Sequence, residues 1–266
     1  MKNELLTVII PYYNNPDFQI KKAIESVLNQ KKIHIKILIL IIDDFSKKKL
    51  ELKDLNLIKY DQQIFRIKVH RVKRNQGDSA ARVLGANLSK SRYIAFLDSD
   101  DYWKNIKLFE QFSFMKKYNI KIIGSNWNNK NYFFNFFKPH SKFYKISKLS
   151  MSLKWWPHIS TILMDRNLFK KLNLNESRHY RYAGDGDMLI KLASSNLLYI
   201  LNKSLVVCHS FKNNKYSSGM SSKMKEMKTG EIRVIKNNFD NSLLVFLFSL
   251  WINIKFLIRL FKNRIR

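Results

Sequence analysis

Tyr93-Ile94-Ala95-Phe96-Leu97-Asp98-Ser99-Asp100-Asp101-Tyr102-Trp103 is a short apolar run that ends on three carboxylates within four residues. Tyr93 to Leu97 has the composition of a strand buried in a sheet, with the acids directly beyond its carboxyl end. Crowded carboxylates repel one another, and a cation relieves that repulsion. Hard oxygen ligands of this kind suit Mg²⁺ or Mn²⁺, which bind through one or two carboxylates together with substrate phosphate oxygens. Taken alone, the cluster is equally consistent with an acidic turn in which an Asp caps the helix after Trp103.

Upstream, Leu6 to Ile10 and Ile35 to Ile42 are nearly continuous apolar runs rich in β-branched residues, the pattern of strands buried on both faces of a parallel sheet. Ile20, Ile24, Val27 and Leu28 recur between them at helical spacing, with Lys21, Lys22, Glu25 and Gln30 in the other positions. A second passage repeats the order: strand Phe65 to Val72, helix Ser79 to Leu88, strand Tyr93 to Leu97. This alternation predicts an α/β fold with a mostly parallel sheet flanked by helices. In such sheets ligands bind beyond the carboxyl ends of the strands. Pro11-Tyr12-Tyr13-Asn14, Asp43-Asp44-Phe45-Ser46 and Asp98 to Asp101 should therefore converge on one site.

Downstream the alternation loosens. Ile106 to Tyr118 reads as a helix, Ile120 to Ser125 and Ile159 to Met164 as strands, Leu168 to Leu172 as a helical turn and Asp187 to Ala193 as the body of a helix. Trp127 to Lys145 is aromatic and Asn-rich without clear architecture, and Phe211 to Gly230, full of Lys, Ser, Asn and Gly, reads as a loop or linker.

The chain has 266 residues, 45% hydrophobic, with 19 Phe, which is ample for a core and excludes disorder throughout. Its single cysteine, Cys208, cannot form an internal disulfide. With no export signal at the N-terminus, the expected location is cytoplasmic. The net charge of +29 requires anionic partners to be considered, among them nucleic acid, anionic lipid and phosphorylated substrates. A nucleic-acid-binding protein would explain the charge, but it leaves the strand-end acids without a purpose, and no nucleic-acid-binding motif is present. No nucleic acid partner is expected.

Five motifs stand in order: Thr7-Val8-Ile9-Ile10-Pro11-Tyr12-Tyr13-Asn14, Ile42-Asp43-Asp44-Phe45-Ser46, Asn75-Gln76-Gly77, Ala81-Arg82, and the stretch from Tyr93 to Trp103. With Ala23 to Gln30, they closely resemble the N-terminal half of glycosyltransferase family 2, strongly over residues 5 to 110 and weakly to about 210. The resemblance implies the GT-A nucleotide-diphospho-sugar transferase fold, a nucleoside diphosphate sugar donor, foremost a UDP-sugar, and Mn²⁺ or Mg²⁺. By position, Pro11 and Tyr13 would border the base, Asp44 would accept from its edge and Asp98 would face the ribose. Asp100 would hold the metal, leaving Asp101 to cap a helix, and Arg82 would lie beside the diphosphate, where its planar fork suits phosphate oxygens. A surface helix charge is the alternative for Arg82. Phe45 and Val83 depart from the Gly and Asn usual in the family.

A transferase also needs a base for the attacking hydroxyl. Ala183-Gly184-Asp185-Gly186-Asp187-Met188 resembles the family's Glu-Asp-x-Asp segment and matches Asp185 to the base, with Gly184 where Glu is usual. Both acids could instead cap the following helix. His209 matches a family histidine that completes the metal shell, and it is otherwise structural or solvated. His158, beside Trp155 and Trp156, is expected to pack near the acceptor side without a chemical role.

The resemblance and the tail give the expected organisation. Residues 1–215 form the catalytic domain, 1–110 for the nucleotide sugar and 111–215 for the acceptor, and 216–266 form a loop with a C-terminal helix. Leu243 to Phe261 is very apolar, but Asn253, Lys255 and Arg259 interrupt it, which disfavours a bilayer crossing. Lys255, Arg259, Lys262 and Arg266 share one helical face, so the helix would either lie on an anionic membrane surface or dock on protein. The expected function is inverting transfer of a sugar to a hydroxyl of a lipid-linked glycan in surface polysaccharide synthesis, at the inner face of the cytoplasmic membrane. A catalytically silent scaffold of the same fold is the alternative that Gly184 invites.

Overall fold

The computed structural model of the chain describes residues 5–129, 141–153, 157–208 and 223–264. Its first part alternates as β1 (Leu5–Tyr12), α1 (Asp17–Leu28), β2 (Lys36–Asp43), β3 (Phe65–Arg71), α2 (Asp78–Leu88) and β4 (Tyr93–Phe96). β1 pairs in parallel with β2 on one side and β4 on the other, and β2 pairs in parallel with β3. β1 and β2 thus have strands on both edges and cover on both faces, which accounts for their uninterrupted apolar sequences. α1 presses Ile20, Ala23, Ile24, Val27 and Leu28 onto the core. β3 lies at the sheet edge and exposes Arg66, Lys68 and His70, charges and polarity that discourage edge-to-edge pairing.

The second part comprises β5 (Tyr102–Trp103), α3 (Lys107–Tyr118), β6 (Ile122–Trp127), β7 (Phe143–Lys145), α4 (Lys148–Leu153), β8 (Leu163–Asp165), α5 (Asn167–Lys171), α6 (Gly184–Ser194) and β9 (Leu198–Val207). β8 enters antiparallel between β4 and β6, and β9 runs parallel to β6. The other edge of β9 is shared by β7 and β5, both antiparallel to it. The resulting order is β3-β2-β1-β4-β8-β6-β9-β5, with β7 on β9.

Three expectations are corrected. Ile159 to Met164 is not one strand: a 3-10 turn over Ile159–Thr161 precedes the short β8. The loop expected to run to Gly230 ends earlier among the described residues, because α7 (Met224–Asn238) is helical throughout. The third concerns α8 (Ser242–Arg264), a single 23-residue helix. Its segment Ser242–Phe261 has mean hydropathy 2.0 and is long and apolar enough to cross a membrane despite its two cations. Of the four cations expected on one outer face, Lys262 and Arg266 lie outside the residues whose side chains are described, and the other two turn toward α7. Lys255 and Arg259 each lie 3.3 Å from the buried carboxylate of Glu231 on α7, on the same side as buried Phe248 and Ile252. The outward side is apolar, and Leu243, Phe246, Leu257 and Phe261 are each 63–66% exposed.

Candidate active site

The carboxyl ends of β1, β2 and β4 lie side by side and deliver their polar segments to one edge of the sheet. Pro11 is the penultimate residue of β1, opposite Ile42, and Tyr12 pairs with Asp43. Pro11 has no N–H to offer a ladder, and β4 no longer pairs at this point, since its last partner in β1 is Ile9. Tyr13, just past the strand, is half exposed. Asn14 accepts from Lys47 N at 2.7 Å, and its own N–H donates to Ser46 Oγ at 3.0 Å, joining the first two strand ends.

Asp43 and Asp44 divide their work. Asp43 is fully buried, accepts from Ser46 N at 2.8 Å and pairs with Arg71 at 2.6 Å, so it builds the turn. Phe45 takes the left-handed conformation, φ 66°, where glycine is usual, with the Arg71 guanidinium 5.2 Å from its ring centre. Asp44 faces the Asn75–Gly77 loop and accepts from Asn75 Nδ2 at 2.8 Å, Gln76 N at 2.9 Å and Gly77 N at 2.7 Å. Burial raises its pKa, and the two N–H groups and Arg181 act in the opposite sense. A carboxylate has about four lone-pair positions, so three are already committed to the loop.

Arg82 is the hub of the site. It is buried on α2, donating to Asp78 Oδ2 at 3.0 Å and to Asp98 Oδ1 at 2.7 Å. Its Nε is buried without a hydrogen-bond partner among the described residues, a spare donor beside two carboxylates. This is not a surface helix charge. Burial opposes ionisation of Asp98, but the charges of Arg82 and His158 outweigh it and hold the pKa low. Ser99 Oγ accepts from Asn15 at 2.8 Å, tying the acid cluster to the β1 loop. Asp100 is partly buried at the rim.

Asp101 is not a helix cap. β5 follows it and α3 begins only at Lys107, whose N-cap is Ile106. Its buried carboxylate accepts from Ser160 Oγ at 2.6 Å and lies 3.3 Å from His158 Nδ1, and burial pushes its pKa up to about 7. The same Ser160 hydroxyl accepts from Asp98 N at 3.0 Å, and His158 Nε2 is 4.0 Å from Asp98. His158 therefore belongs to the site. The signal that could have found it is topological: β8 runs antiparallel to β4, so the residues just before β8 must lie beside those just after β4.

The ligand atoms of Asp101, His158 and Cys208 fall within 4.8 Å of one another. Without a cation, burial and the facing carboxylates push the Cys208 thiol up, and a cation bound there would itself favour the thiolate. Asp100 offers a hard oxygen donor in the same acidic segment.

Opposite these strand ends, α6 opens with Gly184, Asp185 and Asp187. Asp185 accepts from Gly186 N at 2.9 Å. Burial raises its pKa; Arg82 and His158 lower it, and Asp78 and Asp98 raise it, so all four charges reach it. Asp187 is structural: it accepts from Ser177 Oγ at 2.6 Å and Asn238 at 2.7 Å and pairs with Lys191 at 2.9 Å. A Cβ on Gly184 would lie 2.2 Å from Ser79 Oγ and 2.9 Å from the Ser177 carbonyl, so no Glu fits there as the chain stands.

A family model, "Glycosyl transferase family 2", matches residues 7–178, more than half of the chain. The chain belongs to glycosyltransferase family 2. A glycosyltransferase of Haemophilus influenzae is 33% identical over 199 residues, 75% of this chain and 77% of that protein. A putative teichuronic acid biosynthesis glycosyltransferase, TuaG of Bacillus subtilis, is 39% identical over 42% of each chain. The Escherichia coli UDP-Glc:alpha-D-GlcNAc-diphosphoundecaprenol beta-1,3-glucosyltransferase WfaP is 39% identical over 47% of this chain and 46% of its own. Among solved structures, S. aureus TarS in complex with UDP-GlcNAc superposes with TM-score 0.64 over 92% of this chain and 70% of that one, at 16% identity, a likeness of fold.

The architecture is thus the GT-A fold, and the chain is a glycosyltransferase. Within it, Pro11, Tyr13, Asp44, Asp98 and Asp100 stand at or just past the strand ends, and Arg82 on α2 joins them through Asp98. Asp185 stands within electrostatic reach of Arg82 and Asp98. His209 lies outside the described residues.

Proposed function

We propose that the chain transfers a sugar from a nucleoside diphosphate sugar, a UDP-sugar first, to a hydroxyl of a glycan carried on a lipid, inverting the anomeric centre, in the building of a surface polysaccharide. The observation that carries this reading is the buried Arg82–Asp98 pair at the strand ends acting on Asp185: a cation suited to phosphate beside a carboxylate held ionised, and within reach of both a second carboxylate with raised pKa. WfaP and TuaG, by their names, work on a diphosphoundecaprenol acceptor and in teichuronic acid synthesis, which supports the acceptor class.

The chain's own groups divide the task. Pro11 and Tyr13 border the base, and Asp44 uses its remaining lone-pair position toward the base edge. Asp98, held ionised by Arg82, accepts from the ribose. Arg82 turns its spare Nε–H toward the diphosphate, a charge-assisted contact in a dry setting. Asp100 would hold Mn²⁺ or Mg²⁺, which when bound neutralises charge on the leaving diphosphate. Asp185 takes the proton from the attacking hydroxyl, and its raised pKa makes it a stronger base than an exposed Asp.

Residues 1–215 serve as the catalytic unit, with the nucleotide on 1–110 and the acceptor on 111–215. Residues 216–266 bring it to the cytoplasmic side of the membrane. The apolar side of α8, not its cations, is the surface that meets lipid. The deciding experiment is a thermal-shift screen of nucleotide sugars with and without Mn²⁺: stabilisation by one donor, enhanced by the ion and lost in Asp100→Asn, supports the reading, and indifference to every donor rejects it.

A further inference from the structure

A cleft of about 420 Å³ lies between residues 179–182, which lead into α6, and the face of α7. Three of its lining residues are cations, Arg181, Lys225 and Arg233, against one acid, Glu226. Among the described residues, neither Lys225 nor Arg233 has an ion-pair partner. Arg233 sits 5.4 Å from the centre of the Tyr180 ring, whose hydroxyl accepts from Asn237 on α7 at 2.7 Å. The aromatic floor and the two walls are thereby locked together. Like charges gathered in a concave site raise its potential and favour an anion, and guanidinium forks match phosphate oxygens.

The cleft adjoins the active site. Arg181 donates to Asn75 Oδ1 at 2.5 Å, the same Asn75 that holds Asp44. Asp185 follows Arg181 by four positions, which limits their Cα separation to about 14 Å. On its other side, α7 is bolted through Glu231 to Lys255 and Arg259 of α8, whose outer face is apolar. Donor phosphates have their own groups in Arg82 and Asp100. An amphiphile with an anionic head and its reacting sugar near Asp185 would span from α8 to the base through this cleft.

We infer that the cleft between residues 179–182 and α7 binds the phosphate groups by which the acceptor sugar is joined to its lipid carrier. This rests on the lipid-carried acceptor proposed above. The test uses Lys225→Gln/Arg233→Gln in the full chain, with two readouts. The first is binding of inorganic pyrophosphate by calorimetry in EDTA, which needs no transfer activity. Wild type is expected to bind and the double variant to bind about tenfold more weakly, as for loss of charge-assisted contacts; Arg233→Lys alone keeps most of the affinity. Equal binding by wild type and the double variant, or none by either, overturns the site.

The second readout is transfer to a glycosyl diphosphate lipid and to an alkyl glycoside of the same sugar. The double variant should raise KM about tenfold for the first only, with kcat and donor hydrolysis unchanged. Equal effects on both acceptors overturn the assignment to acceptor phosphates. So does loss of binding to phosphatidylglycerol vesicles with KM unaltered, which gives the cleft to phospholipid headgroups. If the chain transfers to neither acceptor, the acceptor reading fails, and the pyrophosphate result still decides whether the cleft is an anion site.

Discussion

Burial and the charges of Asp78 and Asp98 raise the pKa of Asp185, against the pull of Arg82 and His158. A base must be ionised, so kcat/KM should fall toward low pH with a midpoint above the ordinary carboxylate value of about 4. The linkage has a definite sign. A carboxyl whose pKa is raised by folding is ionised at neutral pH at a cost to stability, and that cost disappears as pH falls through the raised value. Asp185→Asn should therefore melt higher than wild type at neutral pH while losing activity, readable by calorimetry and a pH–rate profile together. Gly184 gives the opposite kind of test. Gly184→Glu, which installs the family's usual residue, meets Ser79 and the Ser177 carbonyl, and should cost about 1–3 kcal/mol in denaturant unfolding instead of improving catalysis. Of the residues at the site, the positions of those past β1, β2 and β4 were legible because each directly follows an apolar run, whereas Arg82, inside α2, was reached only through the family resemblance. His158 and Ser160 were not legible, because their position depends on β8 pairing with β4 across a long stretch of chain.

Among the elements, β1 to β4 and the two helices between them were legible from unbroken apolar runs and helical periodicity. β9, the longest strand, was missed. Asn202, Lys203 and Ser204 split its sequence, and the register explains why: Leu201 pairs with Ser125 but Ser204 with Asn126, so residues 202 and 203 form a bulge that need not be apolar. α8 was legible as a helix but not in orientation, since its cations pair with an acid on α7 that only the fold brings beneath them. That pairing makes a prediction for the element. Glu231→Ala leaves Lys255 and Arg259 facing each other over a buried gap. It should cost about 2–3 kcal/mol, at or below the low end for breaking a buried pair, because Arg259 is 42% exposed. Faster amide exchange in α8 than in the sheet would show where the cost falls, and uniform loosening of the whole chain would contradict the assignment.

For the molecule as a whole, a net charge of +29 and an apolar outer helix face offer two routes to a membrane, and they respond differently to salt. Screening weakens attraction between surface charges over about 10 Å at 0.1 M ionic strength, while apolar burial is not weakened by it. Membrane partition is expected to survive high salt and to vanish when residues 242–264 are deleted. Release by salt alone would give the contact to charge. Under the function proposed above, such attachment would bring the donor site at the strand ends to an acceptor held at the bilayer, with Asp185 as the base. The most direct measurement is transfer of labelled sugar from a panel of UDP-sugars to a glycosyl diphosphate lipid by wild type and Asp185→Asn, with donor binding followed in parallel. Transfer by wild type that falls about 10²–10⁴-fold in the variant, with donor affinity preserved, is the expected result. Undiminished transfer by Asp185→Asn, or donor binding lost along with it, would contradict the account.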